Sequence, residues 1–372
     1  MVSEAQDLAR RINEAKNYTD IFPNEASIKS IYRELVRLYH PDRQGVDMVF
    51  ATETFSKLTS LKEEAEKMAA EGRFGEPRFL AIIRTKRAVH RVKAKAHHLG
   101  DITTLYRTAT TLEGSAGVEG LLKVASRAKD NDLMAAEARA LKRLNGGDSV
   151  WQRHIPELLD TFLYHDGRRR SNVVKWWENS LNLEELRILF PDGLDPRHVV
   201  WVWRRLLMAL GYAHDKGIIH GAVLPANIVI DPPQHGVLLV DWCYSVEMRD
   251  TDSQSKTYIK AIIPRYKKGY PEEVLTKGKA SPATDLYLAA RSMVDLLGGA
   301  PAMEQQGIAE SFPNQVPRQM RAFFKGCLPT KQSMRPHNAW ELLREFDDLL
   351  KRMGEPYHPR RFIELAVPSG VA

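Results

Sequence analysis

Two charged side chains fall at positions that the sequence predicts to be buried, and they constrain the fold more than any other feature. Lys123 lies inside an apolar run over residues 120–125, which predicts a strand. Glu137 shares one face of the next predicted helix with four hydrophobic side chains, Leu133, Ala140, Leu141 and Leu144. Because an unpaired carboxylate in an apolar setting costs several kcal/mol, we expect the chain to place Lys123 against Glu137.

The net charge of the chain is concentrated in one short block. The 372 residues include 54 Lys and Arg against 47 Asp and Glu, a formal net charge of +7. Residues 73–98 hold eight basic side chains and one acidic side chain, so this block alone accounts for the excess. Its alternating pattern predicts a basic linker that leads into an edge strand. A platform for nucleic acid needs interleaved aromatic residues, so nucleic acid is not the predicted partner.

Composition limits the class of protein. A hydrophobic content of 43% supports a buried core, and the length predicts two or three domains. Cys243 and Cys327 are too few for a disulfide framework and indicate a reducing compartment. The N-terminus lacks the apolar core of a signal peptide, and Arg204 and Arg205 interrupt the most apolar helical stretch, which argues against a membrane span. We therefore expect a cytoplasmic protein with no membrane partner.

The first seventy residues predict three helices. An amphipathic lead-in helix covers residues 3–17. Asn24 is suited to cap a second helix over 25–39, and a third helix follows over 49–70 after a short polar turn. Two helices joined in this way pack antiparallel, so we expect a helical hairpin.

Three cations and a tripeptide mark this region. Lys29, Arg33 and Arg37 are spaced by four and share one helix face, and a His-Pro-Asp tripeptide follows the helix. The arrangement resembles a J domain over residues 17–72, the module of DnaJ-type co-chaperones. The resemblance implies that six residues dock on a DnaK-type chaperone, namely Lys29, Arg33, Arg37, His40, Pro41 and Asp42. The alternative is an ordinary solvated helix face beside an ordinary loop histidine.

The rest of the chain carries polar residues in an informative order. After the predicted ion pair, Asp195 caps a long apolar helix. A loop over 220–227 and two short apolar strands follow, and Asp241 closes the second strand. This order resembles the protein kinase fold over residues 81–351.

The resemblance implies a nucleotide site. Lys123 matches the strand lysine that contacts nucleotide phosphates, and Glu137 matches its partner on the adjacent helix. Asn227 and Asp241 match the two Mg²⁺ ligands, and both offer the oxygen donors that Mg²⁺ prefers. Gly100 matches the phosphate loop, which keeps one glycine where three are usual. ATP and Mg²⁺ are the implied cofactors, and the alternative is an internal polar network that only joins the two lobes.

Other matches concern the hinge and the large lobe. Trp176 and Trp177 follow a strand at the expected hinge, where they would line or fill the adenine pocket. Asp285 matches the structural aspartate of the central helix. Glu272 matches the end of the activation segment, and the resemblance implies that it pairs with Arg335.

Four departures from the kinase pattern concern catalysis. Ala222 stands where the catalytic loop carries the aspartate base, Gly221 replaces an arginine, and Leu224 replaces the lysine that contacts the transferred phosphate. Thr103 replaces the third glycine of the phosphate loop. Since a positioned base contributes about 10²–10⁴-fold, these changes predict a pseudokinase with weak or absent phosphoryl transfer, and no residue is assigned as catalytic.

The predicted fold class is α+β: a small all-α J domain, built as a helical hairpin, followed by a two-lobed protein-kinase-like fold. The predicted boundaries are a lead-in helix over 1–16, a J domain over 17–72, a basic linker over 73–80, a kinase-like domain over 81–351 with lobes over about 81–175 and 180–351, and a tail over 352–372.

The predicted function is a co-chaperone adaptor that recruits and stimulates a DnaK-type ATPase and binds a client or regulator. The alternative is an atypical serine/threonine protein kinase coupled to a chaperone.

Overall fold

The computed structural model describes residues 2–15, 17–39, 48–70, 74–75, 79–95, 102–114, 116–147, 149–164, 167–178, 180–248, 257–298, 312–358 and 364–366. The chain divides into two compact units, residues 1–78 and 79–372. No helix in these ranges has an apolar stretch long enough to cross a bilayer.

The first unit is helical. Its α-helices are α1 (Val2–Glu14), α2 (Ile28–Tyr39) and α3 (Met48–Ala70), and 3-10 helices cover Tyr18–Asp20 and Glu25–Ser27. The side chain of Asn24 accepts a hydrogen bond from the backbone of Ser27 at 3.0 Å, which caps the turn before α2 as predicted. The apolar faces enclose a core around Ile12, Phe22 and Leu58, all fully buried.

Polar contacts fix how these helices pack. Asn13 on α1 donates to the hydroxyl of Thr54 on α3 at 3.0 Å, and the hydroxyl of Tyr32 on α2 lies 3.1 Å from that of Thr59. The three predicted cations of α2, Lys29, Arg33 and Arg37, are exposed. The tripeptide His40, Pro41 and Asp42 lies outside the described residues.

The small lobe of the second unit is a six-stranded antiparallel sheet. Its strands are β1 (Ala81–Arg84), β2 (Ala88–Lys95), β3 (Thr103–Leu112), β4 (Val118–Ala125), β5 (Leu158–Leu163) and β6 (Arg170–Lys175). They are arranged in the order β1-β2-β3-β4-β6-β5. Helix α4 (Asn131–Leu144) follows β4 along the chain.

The basic block contributes two strands to this sheet. The alternation of residues 89–93 predicts an edge strand, but β2 pairs with β1 on one side and β3 on the other. The edge is β1, which the sequence did not reveal because it has only four residues. Four basic residues of the block therefore lie on these paired strands, Arg84, Arg91, Lys93 and Lys95.

The sheet curls so that its opposite edges approach each other. His90 on β2 places its Nε2 atom 3.0 Å from a carboxylate oxygen of Asp160 on β5, and its Nδ1 atom 3.1 Å from the hydroxyl of Thr110. Both residues of the His90–Asp160 pair are buried. Burial opposes the ionisation of Asp160, but the hydrogen bonds from His90 and Thr85 hold its pKa below the ordinary value.

The large lobe is mainly helical. Its helices are α5 (Leu183–Leu189), α6 (Pro196–Asp215), α7 (Glu272–Leu275), α8 (Pro282–Leu296), α9 (Arg318–Gly326) and α10 (Ala339–Met353). Its short strands are β7 (Leu181–Asn182), β8 (Ile218–Ile219), β9 (Ile228–Asp231), β10 (Gly236–Leu239) and β11 (Val246–Glu247). The side chain of Asp195 caps α6 through the backbone N–H of Arg197 at 2.9 Å, as predicted. Helices α6 and α8 are almost entirely buried and form the core of this lobe.

Candidate nucleotide site between the lobes

Lys123 lies at the centre of the candidate site. It is on β4, one of the two central strands of the sheet, and its side chain is 7% exposed. Its Nζ atom forms an ion pair with Glu137 on α4 and donates to Asp241 at 2.8 Å. Burial opposes the charge of this lysine, but the carboxylates of Asp241 and Glu137 more than offset it and hold the pKa of Lys123 well above the ordinary value. The ion pair expected from the sequence is therefore present.

Glu137 is held from two directions. One carboxylate oxygen meets Lys123, and the other accepts a hydrogen bond from Asn172 on β6 at 2.9 Å. The same Asn172 nitrogen donates to the carbonyl of Met134, one turn earlier on α4, at 2.9 Å. Both oxygens of a carboxylate that is only 2% exposed are thus satisfied, which is what burial of a charge requires.

Asp241 reaches Lys123 through an unusual backbone. Its φ and ψ of 63° and 57° lie in the left-handed region, which few residues other than glycine adopt. It precedes a short 3-10 helix, Trp242–Tyr244, but its side chain makes no cap bond. Burial opposes its ionisation, and the charge of Lys123 outweighs this and lowers the pKa of Asp241. Its carboxylate is therefore directed to the site.

Three potential metal ligands surround the lysine. One ligand atom each from Glu137, Asp241 and Cys243 lies within 4.8 Å of the others. The cation already among them is Lys123, whose Nζ is 3.8 Å from the sulfur of Cys243. Burial, together with nearby Glu137, raises the pKa of Cys243 well above its usual value, so this thiol stays protonated. These residues therefore favour a lysine-centred charge cluster over a thiolate metal site.

The loop over residues 220–227 is held by a buried aspartate. Asp285 on α8 accepts hydrogen bonds from the backbone N–H groups of His220 and Gly221, both at 2.8 Å, and lies 3.0 Å from Nε2 of His214. Gly221 has φ of +80°, and a Cβ atom there would lie 2.6 Å from the carbonyl oxygen of Tyr244. An arginine side chain at position 221 therefore does not fit this arrangement.

The end of the same loop carries Asn227. Its amide nitrogen donates to the carbonyl of Ala222 at 3.0 Å, which leaves the amide oxygen as the available ligand. Ala222 and Leu224 are fully buried and offer no polar side-chain atom. Asn227 and Asp241 line one cavity and together offer the amide and carboxylate oxygens that suit Mg²⁺.

A cavity of about 310 Å³ lies over these residues, a size at the lower end of the range for small-molecule sites. One part has the polar groups of Lys123, Glu137, Asn227 and Asp241. Another has apolar side chains, among them Leu105, Leu121, Val174 and Leu238. Thr103, which begins β3, also lines the cavity, whereas Gly100 lies outside the described residues.

The two hinge tryptophans line this cavity without filling it. The ring of Trp176 has the guanidinium of Arg107 4.8 Å from its centre. The ring of Trp177 packs so closely on Gly236 that a Cβ atom there would lie 2.8 Å from it. Neighbouring strands thus hold both rings at the wall of the cavity. Of the two arrangements that the sequence left open, the tryptophans line the cavity and do not fill it.

Residues that the sequence did not single out complete the cavity mouth. Glu184 on α5 accepts a hydrogen bond from the hydroxyl of Tyr266, and it lies 3.3 Å from the guanidinium of Arg265. The backbone N–H of Ala226 donates to the same tyrosine hydroxyl at 3.3 Å. The contacts of Glu184 with Tyr266 and Arg265 join residues more than 80 positions apart, and no local pattern in the sequence marks them.

The partner of Arg335 differs from the prediction. Arg335 binds Glu273 at 2.6 Å, and Glu272 is exposed on the same short helix. The two glutamates are adjacent, so the motif resemblance placed the pairing one residue too early. Arg335 is only 1% exposed, and the carbonyls of Pro329 and Thr330 accept its remaining hydrogen bonds.

This pairing leads to a matched test. Glu273→Gln is expected to lower the free energy of unfolding by about 3 kcal/mol, because it leaves a buried guanidinium without its carboxylate. Glu272→Gln is expected to change it by less than about 0.5 kcal/mol. Urea unfolding of both variants measures the difference, and equal losses would refute the assignment.

Three curated relatives of this chain are named as kinases. A probable serine/threonine-protein kinase of Dictyostelium discoideum is 34% identical over 106 residues, 28% of this chain and 16% of that protein. Casein kinase II subunit alpha' of Saccharomyces cerevisiae is 30% identical over 103 residues, 28% of this chain and 29% of that protein. Serine/threonine-protein kinase PknF of Mycobacterium tuberculosis is 25% identical over 170 residues, 45% of this chain and 35% of that protein. The match thus spans about a third or less of the length of these relatives.

The co-chaperone interpretation of the sequence is wrong. The relatives named above are kinases by name, and two of them are named serine/threonine-protein kinases. The first unit is helical as expected, but the comparisons support no J domain there. The resemblance rested on short motifs, among them the tripeptide and the row of cations, and short motifs recur without a common function.

The solved structures and the family match agree on the second unit. The kinase domain of Mycobacterium tuberculosis PknI superposes with a TM-score of 0.55 at 20% identity, covering 70% of this chain and 95% of that one, which shows the two-lobed fold. The model of the protein kinase domain family matches residues 122–363, about two thirds of the chain. The chain therefore belongs to the protein kinase family.

Proposed function

We propose that this chain is an atypical serine/threonine protein kinase, which binds ATP with Mg²⁺ between the lobes and transfers the terminal phosphoryl group slowly. The observation that carries the proposal is the position of Lys123, between Glu137 and Asp241 at the polar end of an open cavity. Its kinase relatives support the reaction class.

Each part of the cavity has a role in this proposal. The apolar side chains Leu121, Val174 and Leu238 receive the adenine ring. Lys123 contacts the phosphates, and Asn227 and Asp241 hold Mg²⁺ through their oxygens. When bound, Mg²⁺ neutralises negative charge on the phosphate oxygens. Glu137 keeps Lys123 in place, so the cation is already oriented before the nucleotide arrives.

The slow rate follows from the loop. Ala222 supplies no base for the attacking hydroxyl, and a positioned base is worth about 10²–10⁴-fold. Phosphoryl transfer has a loose transition state, in which positioning and charge stabilisation dominate. Lys123, Asn227 and Asp241 still supply these two effects, so we expect slow transfer.

A second candidate function is a pseudokinase that binds nucleotide without transferring phosphate. Its support is the full burial of Ala222 and Leu224, which removes both the base and the loop cation from the site. The same cavity then serves as a nucleotide-dependent scaffold. The two candidates differ in chemistry and share the nucleotide site.

One pair of measurements tests the proposal. Thermal unfolding is recorded with ATP, with and without Mg²⁺, for the wild-type chain, for Asp241→Asn and for the surface control Asp348→Asn. Nucleotide at 100 times its Kd adds about 2.7 kcal/mol of stability. We expect a Mg²⁺-dependent rise in Tm in the wild type and the control and a much smaller one in Asp241→Asn. Equal Mg-ATP responses in all three chains, or none in any, would overturn the nucleotide site.

Transfer of labelled phosphate from ATP to serine peptides then separates the two candidates. Signal that depends on Asp241 supports the slow kinase. A clear Mg-ATP response in Tm, with no labelling above the Asp241→Asn background, supports the pseudokinase.

A further inference from the structure

The segment over residues 257–280 has an unbalanced positive charge. Its exposed basic residues, called the basic face below, are Lys260, Arg265, Lys267, Lys268, Lys277 and Lys279. The same segment has two acidic residues, Glu272 and Glu273, and the second is occupied by Arg335. The net charge of the whole chain did not point to this segment, because the basic block over residues 73–98 accounts for that net charge.

Part of the basic face has no counter-charge. Lys260 lies 3.4 Å from Asp132, and Arg265 lies 3.3 Å from Glu184. Within the described ranges, no carboxylate lies within 4.0 Å of Lys267 or Lys268. Two adjacent exposed cations therefore remain available to an anionic partner.

These lysines lie beside the mouth of the nucleotide cavity. Lys267 and Lys268 belong to the short 3-10 helix Pro264–Gly269, and Arg265 in the same helix lines the cavity together with Asp241. Tyr266 anchors this helix. Its hydroxyl donates to Glu184 and accepts from the backbone of Ala226. Burial and Glu184 raise the pKa of Tyr266, so its hydroxyl keeps its proton and the anchor persists.

We propose that the basic face binds an acidic peptide segment and brings a nearby hydroxyl to the cavity. That this peptide is a substrate rests on the proposed kinase function, whereas its binding rests on the charges alone. Complementary charges speed encounter and fix register. Arg265 lies at the cavity edge and the lysines next to it, so acidic residues bound there hold the adjacent part of the peptide over Asp241.

The chemistry of the face favours a peptide over a nucleic acid. Single-stranded nucleic acid is bound by exposed aromatic rings on which bases stack. The tyrosines beside the lysines, Tyr266 and Tyr270, are buried. The side chain of Tyr258 is partly exposed, but Lys277 covers its ring at 5.6 Å. The face thus offers charge without a stacking platform.

The test measures binding of a fluorescent peptide with one serine flanked by glutamates, and of a second peptide with lysines in their place. The chains compared are the wild type, the double variant Lys267→Glu/Lys268→Glu, and a control of equal net charge, Lys129→Glu/Lys142→Glu, whose lysines are exposed on the small lobe. We expect about tenfold weaker binding of the acidic peptide in the first variant, little change in the control, and weakening as salt rises.

Several outcomes overturn the inference. These are equal affinity for the two peptides, an equal loss in the control variant, and tighter binding of an RNA oligonucleotide or an anionic lipid vesicle than of the acidic peptide. The response of Tm to Mg-ATP is recorded on the same samples. If the acidic peptide binds at the face and Mg-ATP has no effect, the kinase proposal fails while the peptide surface stands.

Discussion

Ala222→Asp is expected to raise the rate of phosphoryl transfer by about 10²–10⁴-fold, the usual contribution of a positioned base. The surrounding loop is already organised. Asp285 holds the backbone of His220 and Gly221, and Asn227 binds the carbonyl of Ala222. A carboxylate at position 222 would therefore join a loop whose backbone is already held in place by Asp285 and Asn227.

The rate is measured with labelled ATP, Mg²⁺ and a serine peptide under single-turnover conditions. Ala222→Asn is the control, because it adds a side chain of the same size at the same position without a carboxylate base. Position 222 is fully buried, so Tm is recorded to confirm that the variant is folded. A folded Ala222→Asp chain that is no faster than the wild type would show that the missing base does not limit the reaction.

Lys123→Met is expected to lower the free energy of unfolding by about 3–5 kcal/mol, the typical cost of breaking a buried ion pair from one side. It leaves the carboxylate of Glu137 buried without its cation and removes a neighbour of Asp241. It is also expected to abolish the response of Tm to Mg-ATP, because no other described side chain of the cavity places a cation between Glu137 and Asp241.

The double variant Lys123→Met/Glu137→Leu separates the two effects. Replacing both partners of a buried pair by apolar residues is often neutral or stabilising, so we expect it to recover part of the lost stability without recovering nucleotide binding. Urea unfolding and Tm with Mg-ATP give the two readouts. A double variant that regains the Mg-ATP response would contradict the role given to Lys123.

The pH dependence of the ion pair has a definite sign. The pKa of Lys123 is raised in the folded state. Its contribution to stability is therefore fully present below the ordinary lysine pKa of about 10.4, and it is lost only as pH rises through the raised value. The ionisation of Lys123 is thus expected to add no pH dependence, across neutral pH, to the difference in free energy of unfolding between the wild type and Lys123→Met.

Local pattern was enough to predict part of the site. Lys123 lies in an apolar strand and Glu137 on an apolar helix face. Burying either charge without a partner costs several kcal/mol, so the cost of desolvation alone predicted that the two residues pair. The neighbours of this pair were less accessible. Asn172 and Cys243 complete the cluster, yet each is an ordinary residue in its own segment, and only the tertiary fold brings these distant segments together.

Motif resemblance was less dependable than burial. It placed the partner of Arg335 at Glu272 although Glu273 makes the bond. Adjacent glutamates are equivalent in a motif, and they differ only in the direction that the backbone gives their side chains. The comparisons support no J domain, and the exposed cations that contributed to that resemblance are not under the packing constraint that makes a buried charge informative.

By itself, the sequence determined the buried ion pair, the polar residues Asn227 and Asp241 further along the chain, and the absence of an aspartate at position 222. These depend on residue type and on local periodicity, which sequence states directly. Only the tertiary structure decided that Asp241 points at Lys123, that the two tryptophans leave the cavity open, and that Tyr266 and Arg265 meet Glu184 at its mouth. Such contacts join residues from about 60 to about 120 positions apart, and their geometry depends on the packing of the two lobes.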